Sequence, residues 1–269
     1  MSDSQPLVIR SHSNPTVRRL IRLRSNRTRR REKRLLVDGW RETRQAIDAG
    51  LELIGWFTCE STDSSVGADL PTSTRHLVSH SVMEKIAFGQ SARGIVAEFS
   101  EPIRSLETLD LSENALVLVL DCLEKPGNIG AVFRSADAAG VEAVVLCGDG
   151  SDLYNPNAIR NSLGTVFRIP SATGSEKEVQ HFLVSRGIRT IAARVESSQP
   201  LWHADLSGPL AIIMGSESKG LGDRWQSVAG QPIPGVRVPM FGEVDSLNVS
   251  VSAAVMLYEA RRQRESRGD

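Results

Sequence analysis

The sequence predicts an α/β protein of two domains, in which a smaller N-terminal domain precedes a larger domain built on a parallel sheet. The chain has 269 residues, which is enough for two compact domains. Strand-like apolar segments alternate with helical segments along its length, which is typical of α/β folds. Residues 115–120 are apolar without interruption, as expected for a strand that helices cover on both faces.

The N-terminal domain is predicted over residues 1–100 and combines short strands with short helices. Its helices are predicted at residues 14–31, 39–49 and 81–87, and its strands at residues 35–37, 53–59 and 94–99. The next stretch, residues 101–114, is polar and contains Pro102 and several acids. We interpret it as a linker between the two domains.

The C-terminal domain is predicted over residues 115–269. Its strands are predicted at residues 115–120, 143–147, 165–169, 190–193, 210–214 and 236–239. Its helices are predicted at residues 129–139, 176–185 and 246–262. The last of these helices is apolar or small on nearly every side, so it must be buried on several sides. One sheet covers only one side, and the pattern therefore predicts a subunit interface.

Composition excludes several classes of protein. Hydrophobic residues make up 40% and charged residues 24% of the chain, which is an ordinary soluble balance. No apolar run approaches the roughly 18 residues that a membrane span needs, and the first residues lack the apolar stretch of a secretory signal. The three cysteines are far apart and form no CxxC pair. They indicate buried thiols in a reducing cytoplasm rather than a zinc site or a set of disulfides.

Positive charge is concentrated near the start of the chain. Residues 10–44 hold 13 Lys or Arg against three acids, a local net charge of +10, and the other residues hold 19 basic against 29 acidic ones, a net charge of −10. Such asymmetry indicates a polyanionic partner, and an Arg-rich segment favours nucleic acid, because arginine suits phosphate groups. The alternative is a solvated basic helix without a partner. The predicted contacts to nucleic acid are Arg27, Arg29, Arg30 and Arg31.

Three predicted strands lead into loops that contain glycine and small polar residues. Asn128 and Arg134 follow the first, Glu217 follows the strand at residues 210–214, and Ser246 and Asn248 follow the strand at residues 236–239. In open α/β sheets, ligands bind beyond the carboxyl ends of the strands. The first loop contains GNIG but neither GxGxxG nor GxxxxGK[ST], so a dinucleotide or ATP site is poorly supported.

Each of these polar residues also has a simpler interpretation. Asn128 and Ser246 are both expected helix N-caps, since Asn and Ser are strongly preferred there. Arg134, taken alone, is typical of a solvated surface arginine. Glu217 is typical of an exposed loop carboxylate, with a weak ion pair to Lys219 as its alternative role.

The three loops together, in this order and spacing, resemble the SpoU/TrmH branch of the SPOUT RNA methyltransferases. The segments that carry the resemblance are NIGAVFRSADAAG, IIMGSESKGLG and VRVPMFGEVDSLNVSVSAAVMLYEA. The Arg-rich N-terminal segment is similar to the substrate-binding extension of the ribosomal-RNA members, which is itself similar to ribosomal-protein L30-type RNA binders. The resemblance therefore covers nearly the whole chain.

This resemblance implies an enzyme that transfers a methyl group from S-adenosylmethionine to a ribose 2′-hydroxyl of RNA, with ribosomal RNA favoured over transfer RNA. It implies a deep trefoil knot in the C-terminal domain and a homodimer packed through the knot and the last helix. The catalytic positions that it implies are Arg134, Asn128, Glu217, Ser246 and Asn248. The cofactor-binding positions that it implies are Gly215, Val238, Met240 and Leu247.

Two other functions remain open at this point. A knotted RNA-binding module without transfer activity would share the fold, although the presence of all five catalytic positions argues against it. A Rossmann-type small-molecule methyltransferase would need a Gly-rich turn after its first strand, which is missing, and would leave the basic N-terminus unexplained. Two roles also remain open for Arg134: a base, or a group that stabilises charge on the 2′-oxygen.

Overall fold

The computed structural model describes residues 7–88, 94–148, 152–196, 198–217 and 220–267. The first elements are β1 (Val8–Ile9), α1 (Pro15–Arg22), α2 (Asn26–Glu32), β2 (Arg34–Asp38), α3 (Trp40–Asp48), β3 (Leu53–Thr58), β4 (Arg75–Val78), α4 (His80–Ile86) and β5 (Ile95–Ser100). They are followed by β6 (Leu116–Asp121), α5 (Pro126–Ala138), β7 (Ala143–Cys147), α6 (Pro156–Asn161), α7 (Thr165–Arg168), β8 (Ser171–Gly174), α8 (Glu176–Ser185), β9 (Arg189–Ala193), β10 (Ser198–Pro200), β11 (Leu210–Met214), β12 (Ser227–Val228), β13 (Gln231–Pro232), β14 (Gly235–Arg237) and α9 (Val249–Arg267). Within the described ranges, none of the helices has both the length and the apolar character needed to cross a membrane.

The chain folds into two compact units. The N-terminal unit comprises Met1–Pro102 and Tyr154–Arg168, and the C-terminal unit comprises Ile103–Leu153 and Ile169–Asp269. These units differ from the predicted domains in two places. Residues 101–114 are not simply a linker, because Leu106 and Leu109 are buried in the core of the C-terminal unit. Tyr154–Arg168 lies within the predicted C-terminal domain but belongs to the N-terminal unit, where α6 contacts β2 and α7 contacts α3.

The N-terminal unit is built on a five-stranded mixed sheet in the order β1-β4-β3-β5-β2. β4 runs parallel to β1 and β3, and β5 runs antiparallel to β3 and β2. The core of this unit joins α1 and α4 to the sheet through the buried side chains of Val17, Leu20, Leu23, Leu36, Phe57, Val82, Met83, Ile86 and Val96. The apolar spacing predicted α4 and a helix that includes α1, but β1 and β4 are too short to leave a recognisable pattern.

Two predicted elements of this unit are wrong. The single helix expected over residues 14–31 is divided into α1 and α2, because Ser25 has an extended backbone (φ −81°, ψ 129°). The strand expected at residues 165–169 is the helix α7, which follows a turn with positive φ at Leu163 (57°) and Gly164 (89°). A short apolar run fits a buried strand and a buried helix equally well, so periodicity alone could not distinguish them.

The C-terminal unit is built on a seven-stranded sheet in the order β10-β14-β9-β11-β6-β7-β8, and every neighbouring pair is parallel. β6 is buried along its whole length, as its apolar run predicted. The predicted bounds of β7, α8 and β11 coincide with the observed ones. β14 follows all the other strands of this sheet in the chain, yet it lies between β9 and β10. The carboxyl ends of β6, β11 and β14 therefore point to the same edge of one sheet.

Candidate active site

Asn128 connects the three loops that the sequence singled out. α5 begins at Pro126, whose fixed φ suits the first helical position. Asn128 is therefore already inside the first turn, and its interpretation as an N-cap is wrong. Its side-chain nitrogen donates to Glu217 Oε1 at 2.5 Å, and its side-chain oxygen accepts from Asn248 Nδ2 at 3.3 Å. One amide thus joins the loops that follow β6, β11 and β14.

Asn248 caps the last helix. Its side-chain oxygen accepts from the backbone nitrogen of Ser250 at 2.9 Å, and its backbone oxygen accepts from the nitrogens of Val251 and Ser252, both at 2.9 Å. The predicted cap, Ser246, is exposed and hydrogen-bonds Asp245 instead at 3.1 Å. Asn248 therefore fixes the start of α9 with its oxygen and contacts Asn128 with its nitrogen.

The loop after β11 is tight and depends on glycine. The backbones of Ser216 and Gly220 exchange hydrogen bonds of 3.1 and 2.9 Å. A Cβ atom on Gly215 would lie 2.6 Å from the backbone nitrogen of Leu221, closer than real contacts allow. Gly215 is therefore the residue that lets this loop close on itself. Lys219, the alternative partner of Glu217, lies outside the described residues.

The expected cofactor-binding positions lie at two strand ends. Gly215 directly follows β11, and Val238 directly follows β14. Met240 and Leu247 belong to the segment between β14 and α9, and all four residues are half-buried. β9 separates β11 from β14 in the sheet, so two strand spacings, roughly 10 Å, separate the two ends. Half-buried apolar side chains at the ends of strands suit a ligand that has an apolar part.

Arg134 stands apart from the hydrogen-bonded residues. It lies on α5 six residues after Asn128, roughly 9 Å further along the helix axis. Its side chain is exposed, and among the described residues it makes no hydrogen bond or ion pair. Arg134 is therefore available to a ligand, and the structure does not bring it together with Asn128, Glu217 and Asn248.

The four arginines predicted to contact RNA do not share one environment. Arg27, Arg30 and Arg31 of α2 are exposed, whereas Arg29 is only 2% exposed. The Arg29 guanidinium donates to the backbone oxygens of Leu23 at 2.6 Å and Arg24 at 2.7 Å. It thereby satisfies carbonyl groups at the end of α1. Arg29 is a structural residue in this conformation.

Sequence reasoning missed a polar cluster at the carboxyl ends of β6 and β7. Asp121 is the last residue of β6, is 2% exposed, and pairs with Arg224 at 3.0 Å. Arg224 also pairs with Glu176 at the start of α8 at 3.1 Å. The only sequence signal was an acid at the end of an apolar run. An aspartate that ends a fully buried strand requires a partner, which the sequence does not identify.

Two family profiles cover most of the chain. The profile of the SpoU rRNA Methylase family matches residues 115–258, and that of the MRM3-like substrate binding domain matches residues 14–97. The chain belongs to the SpoU rRNA methylase family. Methyltransferases of this family use S-adenosylmethionine, and the three loops joined by Asn128 lie within the matched methylase region.

Individual relatives of this SpoU-family chain resemble it over most of its length. The 23S rRNA (guanosine-2′-O-)-methyltransferase RlmB of Photobacterium profundum is 33% identical over 73% of this chain and 81% of that protein. A crystal structure of an RNA 2′-O ribose methyltransferase is 40% identical, with a TM-score of 0.81, and covers 96% of this chain and 99% of that one. The AdoMet-bound rRNA methyltransferase of Sinorhizobium meliloti is 26% identical, with a TM-score of 0.86, and covers 96% and 98% of the two chains.

Proposed function

We propose that this chain transfers a methyl group from S-adenosylmethionine to a ribose 2′-hydroxyl of ribosomal RNA. The observation that carries the proposal is the chain of hydrogen bonds Glu217–Asn128–Asn248, which joins the three loops of the methylase region. If these residues were only separate helix caps and surface groups, the hydrogen bonds between them would have no explanation. The rRNA methyltransferases among the relatives support ribosomal RNA as the substrate class.

The residues at the two strand ends fit the methyl donor. Val238, Met240 and Leu247 offer apolar, half-buried side chains for an adenine ring, and the loop at Gly215 offers backbone groups. We propose that these four residues hold the donor. When bound, S-adenosylmethionine supplies a methyl group that is already activated on a sulfonium, so the residues around it need only prepare the acceptor.

Arg134 is proposed to stabilise the acceptor. A guanidinium stays protonated in proteins, which makes it a poor base. It is well suited to hold a phosphate of the RNA and to stabilise negative charge that develops on the 2′-oxygen as the hydroxyl proton passes to solvent. Asn128, Asn248 and Ser246 would orient the ribose or the donor through hydrogen bonds, and Glu217 would fix the Asn128 amide. The exposure of Arg134 and Ser246 supports these roles, because both side chains are open to a ligand.

Replacement of Arg134 tests this mechanism. Arg134→Ala should reduce methyl transfer about 10²–10³-fold, the usual cost of removing one preorganised charge-stabilising group. Arg134→Lys should recover little, because an ammonium lacks the forked geometry. Donor binding, measured separately by calorimetry, should stay within about twofold. Unchanged turnover in both variants would remove Arg134 from the mechanism, and a wild-type protein that does not bind the donor would defeat the proposed function.

The substrate class can be tested directly. Mapping of 2′-O-methylation on total RNA from cells with and without the gene should reveal one ribose in ribosomal RNA that loses its mark. Loss of a mark in transfer RNA instead would assign the enzyme to the alternative substrate. A protein that binds RNA and the donor but methylates neither RNA would be the non-catalytic module.

We also propose the quaternary and topological features that the family resemblance implies. The insertion of β14 between β9 and β10 supports a trefoil knot in the C-terminal unit, and the mixed sheet of the N-terminal unit suits an L30-like RNA-binding domain. Val251 and Tyr258 of α9 are 47% and 53% exposed. Exposed apolar groups seven residues apart share one helix face, which supports a homodimer through α9. The free thiols of the three cysteines support a cytoplasmic location.

A further inference from the structure

Arg224 holds together a cluster of side chains at the carboxyl edge of the C-terminal sheet. It lies in the segment that directly follows the loop at residues 215–220. Its guanidinium contacts four side chains that come from the ends of β6 and β7 and the start of α8: Asp121 Oδ1 at 3.0 Å, Glu176 Oε2 at 3.1 Å, Cys122 Sγ at 3.3 Å and Cys147 Sγ at 3.7 Å. One side chain thus connects three elements of the sheet edge.

Within this cluster, Arg224 supplies the counter-charge for a buried carboxylate. Burial raises the pKa of Asp121, although the attraction of Arg224 opposes that shift. Burial also raises the pKa of Cys147 to about 12, so this group is a neutral thiol at ordinary pH. A buried carboxylate needs a counter-charge, and loss of its partner is strongly destabilising. The ion pair with Asp121 therefore holds the Arg224 side chain in place.

Residues 221–225 connect the Arg224 side chain to the backbone at Gly215. The backbone nitrogen of Arg224 donates to Leu221 O at 3.0 Å, and the backbone of Leu221 closes over Gly215. On the other side, the nitrogen of Trp225 donates to Glu176 Oε1 at 3.3 Å. Trp225 is 1% exposed and has a left-handed backbone with φ +57°. Such a conformation in a bulky residue persists only where its surroundings hold it in place.

We propose that Arg224 is a positioning residue for the methyl-donor site. It anchors residues 221–225 to the ends of β6 and β7 and the start of α8, and thereby holds the backbone of Gly220 and Leu221 against Gly215, in the conformation that receives S-adenosylmethionine. This inference rests on the proposed function, because it takes that loop to be part of the donor site. A loop that had to become ordered on binding would bind the donor more weakly, since ordering opposes association.

Substitution of Arg224 tests the inference. Arg224→Ala should weaken donor binding about tenfold in calorimetry, within the range known for residues that act through a network. The donor affinity of Arg224→Lys should lie between those of Arg224→Ala and the wild type, because lysine keeps the positive charge and lacks the forked donor geometry of the guanidinium. Affinity for an rRNA fragment, measured by fluorescence anisotropy, should stay within about twofold. Arg186→Ala, at the opposite end of α8, is the matched control and should change neither affinity.

The outcomes separate positioning from general destabilisation. A folded Arg224→Ala protein with wild-type donor affinity overturns the inference, and so does an equal loss of donor and RNA affinity. If Arg224→Ala does not fold, Glu176→Gln replaces it, because the Glu176 side chain is 29% exposed and its loss leaves Asp121 paired. Donor binding about threefold weaker in that variant supports the inference, and unchanged binding overturns it. Failure of the wild-type protein to bind the donor would instead defeat the proposed function itself.

Discussion

The two units of the molecule carry opposite charge. The N-terminal unit holds 18 Lys or Arg and 12 Asp or Glu, a net charge of +6, and the C-terminal unit holds 14 and 20, a net charge of −6. In the C-terminal unit, several arginines bind the protein itself: Arg224 pairs with carboxylates, and Arg261 and Arg264 donate to backbone carbonyls. In the N-terminal unit, Arg27, Arg30 and Arg31 project outward.

The positive unit nevertheless uses many of its arginines internally. Glu98 is 1% exposed, and Arg19 and Arg34 pair with it, with Arg19 Nη2 at 2.7 Å from Glu98 Oε2. The hydrogen bond to Glu98 raises the pKa of Arg19 despite the opposing effect of burial. The surroundings of each guanidinium, rather than the number of arginines, therefore decide which unit can attract RNA.

The largest effect should come from neutralising the exposed arginines of α2. A variant with Arg27→Gln, Arg30→Gln and Arg31→Gln should bind an rRNA fragment about a hundredfold more weakly, and the negative slope of log affinity against log salt should become shallower by about 3. Binding through fewer phosphate contacts releases fewer counterions from the RNA, which is why the slope changes. Fluorescence anisotropy over a series of salt concentrations measures both quantities.

A charge-matched control from the acidic unit sharpens this comparison. Lys177, Arg186 and Arg262 are exposed residues of the C-terminal unit, and their combined change to Gln removes the same charge. We expect a loss of affinity below about threefold and an unchanged slope. If both variants lose affinity equally, the net charge of the whole chain attracts RNA and α2 has no special role.

The sequence predicted where the three loops lie better than it predicted the residues that support them. The order of the three loops placed Asn128, Glu217 and Asn248 at one sheet edge, because the carboxyl ends of parallel strands coincide. The sequence could not show whether Ser246 or Asn248 caps α9, since both residues suit a helix start and they lie two residues apart. It could not identify Arg29 as buried, because that depends on the break between α1 and α2. Nor could local patterns place β14 between β9 and β10, which is decided by long-range pairing.

An intermediate effect should separate arginines with structural roles from their exposed neighbours. Arg29→Ala should lower the free energy of unfolding by about 2 kcal/mol, because two carbonyls at the end of α1 lose a donor. Arg264→Ala should cost a similar amount in the acidic unit, where its guanidinium donates to Asn114 O at 2.6 Å and to Gly208 O. Urea unfolding measures both costs, and RNA affinity should stay within about threefold of the wild type.

Arg30→Ala is the control for Arg29→Ala, because the two residues are adjacent on α2. It should change the free energy of unfolding by less than about 0.5 kcal/mol, as is usual for an exposed residue, and should weaken RNA binding. If Arg29→Ala reduced RNA affinity and left stability unchanged, the buried conformation of Arg29 would not be the one that operates in solution.

The smallest effects should come from removing one helix cap in each unit. Ser175 caps α8 in the C-terminal unit as part of a capping box, in which its backbone nitrogen donates to Glu178 Oε2 at 2.7 Å. Ser79 caps α4 in the N-terminal unit, where Val82 occupies the equivalent third position and has no carboxylate. Ser175→Ala and Ser79→Ala should each cost about 1 kcal/mol near neutral pH.

The two caps should differ in acid. The hydrogen bond from the Ser175 backbone, followed by that from its side chain, lowers the pKa of Glu178 below its ordinary 4.5. A lowered pKa means that the charged box stabilises α8 above pH 4.5 and loses this contribution as the pH falls through the folded-state pKa. Ser175→Ala keeps the backbone donor and removes the hydroxyl, so the share of its cost that comes from the bond between the hydroxyl and the Glu178 carboxylate should disappear in acid, whereas the cost of Ser79→Ala should not change. Hydrogen exchange of the α8 and α4 amides at several pH values measures each cost locally, and an identical pH dependence in both helices would show that the bond between the Ser175 hydroxyl and the Glu178 carboxylate contributes nothing to the cap.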